Sequence, residues 1–464
     1  MRQGIIAAVS TPPGKGGVAI IRTCGEGAVK LAERIFTPRS GKRLSQHPVR
    51  TQVYGYIRNS DGEVVDDALV TRFAPSASYT GEETVEYAIH GGVLITRTVL
   101  ELIFSAGAIP AEAGEFTRLA FLNGRLTLTD AEAIGNLLEA KTPEQIRLAA
   151  SPARRRLTER IEEIRTSITH LLGSIYARID YPEEDLGELG EEEIVSELEV
   201  IHETLKRLIS TYRTGRAINE GISAVLCGKP NVGKSTLYNL LVGEDAAIVT
   251  DIPGTTRDLL EREVALGRVL LRLTDTAGVR KTESADEVER IGIMRSRERI
   301  ASSELVLALF DLSREIDAED EEILEAIDDA MGAKVCIFTK CDRACSSKKK
   351  DEIAAKFDTV LEISAKDAPE EAISLLESCV DKLFTDEKIS ASSDAIVASA
   401  RQHSALTASA NFINAAIEAY RIGIPADAAS SCVELALSAL GEVDGRSVSD
   451  EVVADIFSRF CVGK

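Results

Sequence analysis

The sequence predicts a multidomain α/β protein: a P-loop nucleotide-binding domain inserted into an α-helical domain and preceded by an α+β domain. Three observations carry this expectation. A phosphate-binding loop, Gly228-Lys229-Pro230-Asn231-Val232-Gly233-Lys234-Ser235, sits in mid-chain; helical periodicity runs on both sides of it; and the opening residues mix short strands with Gly and Pro turns. The expected division is 1–118 for the α+β domain, 119–214 for the first helical half, 215–384 for the nucleotide domain and 385–464 for the second helical half. A chain of 464 residues suggests roughly three domains, and 44% hydrophobic content is enough for real cores.

In the first region one helix, Gly92 to Ser105, is expected among the strands. From residue 119 the pattern turns helical. Ile194, Leu198, Ile201, Leu205 and Leu208 recur at three and four residues, which places one apolar stripe on a long helix, and ordinary bundle packing accounts for it. The acidic stretch from Asp180 to Glu193, with Pro182 and two Gly residues, reads as a solvated connector. Helical periodicity returns from about Asp394. Helices before and after an inserted domain most simply pack together, closing one helical domain around the insertion point.

Within the nucleotide domain, the apolar run Ile222 to Cys227 delivers the chain to the loop as a strand. Gly228 and Gly233 permit backbone geometries that leave several N–H groups pointing inward, where they cradle phosphate oxygens. Lys234 offers a point charge to the outer phosphates, Ser235 a hydroxyl for magnesium, and a helix starting near Thr236 turns its positive end toward the anion. Three further segments follow in order. Asp275-Thr276-Ala277-Gly278 comes after the run Val269 to Leu273, so the Asp275 carboxylate emerges at a strand end, suited to magnesium through water, with Gly278 closing the motif. Thr339-Lys340-Cys341-Asp342 ends the strand Val335 to Phe338, and the Asp342 carboxylate can accept two N–H bonds from a guanine edge that adenine does not supply. Ser364-Ala365-Lys366 ends the strand Val360 to Ile363, where backbone amides support a base carbonyl. This order resembles that of the translation-factor-related GTPases and implies GTP as ligand. Thr339 departs from the usual Asn of the third motif, keeping a hydroxyl and losing an amide; guanine affinity is the property this touches.

Ras-like enzymes orient the attacking water with a Gln just after Asp-x-x-Gly. Here that residue is Val279, whose aliphatic side chain positions no water. Asn231 and the segment Thr250 to Asp258 offer oxygen ligands for a monovalent ion beside the phosphates, and Thr256 can complete a magnesium shell. Glu289 reads either as a water-orienting carboxylate or as a solvated carboxylate at a helix start.

Along its whole length the chain resembles the MnmE (TrmE) family of tRNA-modification GTPases. The resemblance rests on Ala8 to Arg22, on Ser78-Tyr79-Thr80-Gly81-Glu82, His90-Gly91-Gly92 and Pro110 to Arg125, and on the tail Phe460-Cys461-Val462-Gly463-Lys464, where Val462 replaces the usual Ile. It implies potassium held by Asn231, Thr250, Thr255 and the carbonyl of Ile252, with Glu289 as the catalytic carboxylate. It further implies that the first domain is a homodimer and binds 5-formyltetrahydrofolate or a related tetrahydrofolate through Arg22, Glu86, Arg125 and Lys464. Arg side chains suit a glutamate-tail carboxylate and Glu86 the N–H donors of a pterin. For Arg22 and Arg125 the residues alone read first as surface ion pairs, and only the resemblance favours folate contacts. Cys461 reads either as a nucleophile or as a structural, folate-adjacent thiol, since no His lies near it in sequence. The implied activity is potassium-stimulated GTP hydrolysis that, with the flavoprotein partner MnmG, modifies C5 of a wobble uridine in certain tRNAs. A ribosome-assembly GTPase switch is the alternative, and a basic RNA-binding appendage is what would mark it.

The net charge of −21 repels phosphate on average, so any tRNA contact is expected to be localised, weak or shared with a partner. Arg154-Arg155-Arg156 and Lys348-Lys349-Lys350 are the local basic runs, and each reads first as a solvated face. The eight Cys residues follow neither a disulfide framework nor paired metal-ligand spacing; Cys336, Cys341 and Cys345 read as small thiols around the base-recognition loop. Gly4 to Val9 is cut short by Pro12 and Pro13, and no run reaches membrane-spanning length, so a reduced, cytoplasmic protein without membrane contact is expected.

Overall fold

The structure, a computed structural model, describes residues 4–180, 190–243, 261–275, 297–314, 317–340, 347–357, 359–391 and 394–464. They divide into two compact units, 1–138 with 438–464, and 139–437.

The first unit is built on a seven-stranded sheet of β1 (Ile6–Val9), β2 (Val18–Cys24), β3 (Phe36–Pro38), β4 (Gln52–Arg58), β5 (Val64–Phe73), β6 (Thr84–His90) and β7 (Ile109–Pro110), in the order β3-β4-β5-β6-β2-β1-β7. Alternation along the strands sends Ile21, Tyr87, Ile89, Val53 and Val70 to one face. There the helices Ala28–Ile35 and Val93–Ser105 cover them with Leu31, Val99 and Ile103. The second helix is the one expected at 92–105, with Gly92 as its N-cap in extended conformation. Residues after the helix Asp450–Ser458 return to this sheet. Val462 bridges Ala113, the Ser10 hydroxyl donates to the carbonyl of Gly463 at 3.0 Å, and the amide of Phe116 donates to that of Lys464 at 3.1 Å. Gly463 has φ 98° and lies so close to β1 that an added Cβ would sit 2.1 Å from the carbonyl oxygen of Val9.

The second unit carries a six-stranded sheet: β8 (Ile222–Cys227), β9 (Glu261–Leu266), β10 (Val269–Asp275), β11 (Leu305–Asp311), β12 (Ala333–Thr339) and β13 (Thr359–Glu362), in the order β13-β12-β11-β8-β10-β9. All pairings are parallel except that of the edge strand β9. Parallel strands covered on both faces read as continuous apolar runs, and β11, Leu-Val-Leu-Ala-Leu-Phe-Asp, is buried at every position. Its period of two splits the domain into two cores. Leu305, Leu307 and Leu309 meet Leu237, Leu241, Leu376 and Val380 from helices Lys234–Val242 and Pro369–Phe384. Val306, Ala308 and Phe310 meet Leu324, Ile327 and Ile353 from helices Ala318–Asp328 and Ser347–Ala354. Each fully buried Val, Leu, Ile or Phe side chain contributes roughly 1.5 to 3 kcal/mol of transfer free energy.

Helices that precede and follow this sheet in sequence lie together. Glu191–Ser210 buries Ile194, Leu198, Ile201, Leu205 and Leu208 and packs along Ala400–Arg421, with Arg421 bridging to Glu199 at 2.6 Å. Helix Ser151–Asp180, which contains the triple-Arg run, packs on the first of these. The sheet is thus inserted into a helical frame. The two are joined through helix Tyr212–Asn219, whose Arg216 pairs with Glu304 just before β11, while Glu304 Oε2 accepts the amide of Ser223 at 3.1 Å. Among the described residues no helix is long and apolar enough to cross a membrane.

Candidate nucleotide-binding site

β8 ends at Cys227 and the phosphate loop begins at once. Gly228 has φ 144° and stands against β11, where a Cβ would lie 2.5 Å from the carbonyl oxygen of Leu309. Asn231 follows at φ 65° and Gly233 at φ 111°, the latter as N-cap, so the helix starts at Lys234, two residues before the expected Thr236. Positive-φ residues at 228, 231 and 233 just ahead of a helix N-terminus suit an anion nest of inward-facing amides. Lys234 Nζ donates to the carbonyls of Gly228 at 2.5 Å and Lys229 at 2.6 Å, which holds the ammonium over the loop. Asn231, Ser235 and Thr236 are exposed beside it.

Residues at the end of β12 converge on the same loop. Thr339, the last residue of β12, donates its hydroxyl to the carbonyl of Val232 at 2.6 Å. Lys340, at φ 58°, donates to the carbonyl of Asn231 at 3.0 Å and to Asp311 Oδ2 at 2.6 Å. Asp311 is almost fully buried at the end of β11. Burial raises its pKa, but hydrogen bonds from Lys340, Ser313 and Arg314 outweigh that and hold the carboxyl well below the usual range. After β13, Ser364 Oγ donates to Asp367 Oδ2 at 2.9 Å, fixing the turn that carries Ala365 and Lys366. Gly233, Thr236, Thr339, Lys340, Ser364, Ala365 and Lys366 line one cleft of about 210 Å³. Asp275 ends β10, parallel to β8 and opposite Leu226. Gly278, Glu289 and Asp342 lie outside the described residues, as do Thr250, Ile252, Thr255 and Thr256. The sequence reading missed Asp311, Lys229, Asp317 and Asp320, which frame the loop; the strand-end position of Asp311 was the available signal. Cys227 and Cys336 are buried thiols, each pushed up to about 12 by desolvation, and serve as core.

A second cluster lies in the first unit. Arg22 and Glu86 face each other across β2 and β6, and both guanidinium contacts, from Nε at 3.0 Å and Nη2 at 2.8 Å, fall on Glu86 Oε1. The guanidinium carbon lies 5.4 Å from the ring centre of Phe116 and 5.9 Å from that of Tyr79. Lys464 joins through its carbonyl on Phe116, whereas Arg125 donates to the carbonyl of Pro75 at 2.7 Å. The Cys461 side chain is exposed, and its carbonyl accepts from Gly114 at 3.4 Å.

A mostly parallel sheet with a phosphate loop after one strand, and a cleft lined from the ends of two others, defines a P-loop GTPase domain inserted into a helical one. Residues 5–125 match a family model described as the GTP-binding protein TrmE N-terminus, and residues 128–461 one described as the MnmE helical domain. The tRNA modification GTPase MnmE of Carboxydothermus hydrogenoformans is 38% identical over 467 residues, covering 100% of both chains. That of Thermotoga petrophila is 39% identical over 462 residues, 99% of each. The chain belongs to the MnmE family.

Proposed function

We propose that this chain is a potassium-stimulated GTP hydrolase that, with the flavoprotein partner MnmG, installs a carboxymethylaminomethyl-type group at C5 of the wobble uridine of certain tRNAs. The observation that carries this reading is similarity along the full length to relatives described as tRNA modification GTPases, together with a phosphate loop whose Lys234 is held in place.

In this reading Lys234 and the loop amides bind the outer phosphates, and Thr339, Lys340, Ser364, Ala365 and Lys366 border the guanine alongside Asp342. Glu289 orients the attacking water in place of the Gln that Val279 replaces. Magnesium, held by Ser235 and Thr256, and potassium, held by Asn231, Thr250, Ile252 and Thr255, neutralise phosphate charge when bound. Both donor sets consist of oxygen atoms, which suits hard cations. A tetrahydrofolate supplies the one-carbon unit. The Arg22 cluster fits such a group: Phe116 and Tyr79 give a flat apolar flank, and both Arg22 contacts use Glu86 Oε1, leaving Oε2 to meet further donors. Arg125 and Lys464 add cations for a carboxylate tail.

Homodimerisation and most of the folate site belong to residues 1–118, with 119–214 and 385–464 as the helical halves, which contribute Arg125 and Lys464 to that site, around the GTPase domain 215–384. The acidic chain meets tRNA in the cytoplasm through contacts that are localised, weak or shared with its partner. Mass spectrometry of wobble uridines from a strain lacking this protein tests the reading: loss of the modified nucleoside is expected, and an unchanged profile rejects it. Equal hydrolysis rates in potassium and sodium would remove the cation role alone.

A further inference from the structure

Lys229, the second residue of the phosphate loop, is only 6% exposed, which lysines seldom are unless paired. Its Nζ lies 2.5 Å from Asp317 Oδ2 and 3.0 Å from Asp320 Oδ2. Asp320 is 1% exposed. Asp317 caps the helix Ala318–Asp328, its other oxygen accepting the amides of Glu319 at 3.0 Å and Asp320 at 3.3 Å. Burial alone lowers the lysine pKa, but the two carboxylates outweigh it and keep the ammonium charged. At its backbone the same residue does a second job, since its carbonyl is one of the two that hold Lys234 Nζ. One residue therefore connects the capped end of a helix to the lysine that reaches the phosphates.

We infer that Lys229 is a positioning residue for phosphate binding: its ion pairs with Asp317 and Asp320 fix the entry of the loop, so that the carbonyls of Gly228 and Lys229 present Lys234 to the β-phosphate in a preset geometry. The helix Ala318–Asp328 becomes part of the nucleotide site without touching nucleotide. This inference rests on GTP and GDP being the ligands, and GMP binding serves as the internal reference.

Fluorescence competition on the full chain, with GDP and GMP as probes, tests it. Lys229→Met should weaken GDP about 10- to 100-fold, because the loss reaches the nucleotide only through the position of Lys234, while GMP changes less than about 3-fold. GTP hydrolysis should show the loss in KM with kcat at saturation within about 3-fold. Lys229→Arg, whose fork reaches two carboxylates, should restore GDP affinity to within about 3-fold. Asp317→Asn keeps the helix cap but removes its charge. Removing a negative charge near a phosphate site tightens GDP if only the electric field matters; positioning requires GDP to weaken, by about 3- to 10-fold, with the melting temperature nearly unchanged. A folded Lys229→Met with an unaltered GDP-to-GMP affinity ratio overturns the inference. Should that variant not fold, Asp317→Asn decides alone, and an equal or tighter GDP affinity overturns it.

Discussion

The hydroxyl of Thr339 donates to the carbonyl of Val232 at 2.6 Å, with the carbonyl of Phe310 at 3.3 Å, so the end of β12 is stitched to the phosphate loop. The third motif usually begins with Asn, and the sequence alone marks Thr339 as a weakness. The geometry gives the hydroxyl a task that needs no amide. Thr339→Val keeps the shape and leaves the Val232 carbonyl short of a buried partner, which should cost about 1 to 3 kcal/mol. Urea denaturation should show that loss and GDP titration a weaker complex, with Thr339→Ser close to the original in both. Wild-type behaviour of the Val variant in both measurements would refute the tether.

Acid should act through Asp311. Its folded pKa is depressed by Lys340, Ser313 and Arg314 against the opposing effect of burial, so the ionised carboxyl stabilises the fold at pH values above its unfolded pKa of about 3.9. That contribution is lost as pH falls below about 4 toward the folded value. Asp311→Asn should cost about 2 to 3 kcal/mol at pH 7, by removing the partner of Lys340. Denaturation curves at pH 7, 5, 4 and 3 should show a constant gap between the two proteins down to pH 5 and a narrowing gap below about 4. A gap that stays constant at pH 3 contradicts the assignment.

Glu289→Ala should depress GTP turnover roughly 100-fold or more, within the span of general-base and water-positioning effects, and leave GTP affinity within about 3-fold. Stopped-flow binding alongside steady-state hydrolysis separates the two. Lost binding would make the residue structural.

Gly463→Ala should loosen the segment that lies on β1. At φ 98° an added Cβ is strained by about 1 to 2 kcal/mol and also meets the Val9 carbonyl oxygen 2.1 Å away. Limited proteolysis should then remove the tail faster, and folate affinity should fall if Lys464 belongs to that site. Gly463→Ala with unaltered cleavage would show that the segment shifts without detaching.

Local patterns were legible where one element satisfied its own periodicity. β8 spans the residues its apolar run marks, and all five stripe residues of Glu191–Ser210 are buried, because a half-buried helix and a doubly covered strand leave strong periods. The helix after the phosphate loop begins at Lys234 because Gly233 takes a left-handed cap that hydrophobicity does not report. Relationships formed across the chain were not legible. That Arg22 pairs with Glu86 needs the register of β2 on β6, and its place beside Phe116 needs a helix folded back onto that sheet. Lys229 gives no signal beyond its place in the loop until Asp317 and Asp320, at the start of helix Ala318–Asp328, are brought to it.

The contact between Ser10 and Gly463 spans 453 positions of sequence. During synthesis the strand β1 leaves the ribosome early, yet the edge on which residues 461–464 dock waits until the nucleotide sheet and the helical frame have been made. Domains generally fold as units while the chain emerges, at roughly 5 to 20 residues per second, so that wait lasts on the order of half a minute or more. Docking of residues 461–464 is therefore a late event: a chain broken off anywhere in the nucleotide domain lacks the segment whose carbonyls accept from Ser10 and Phe116.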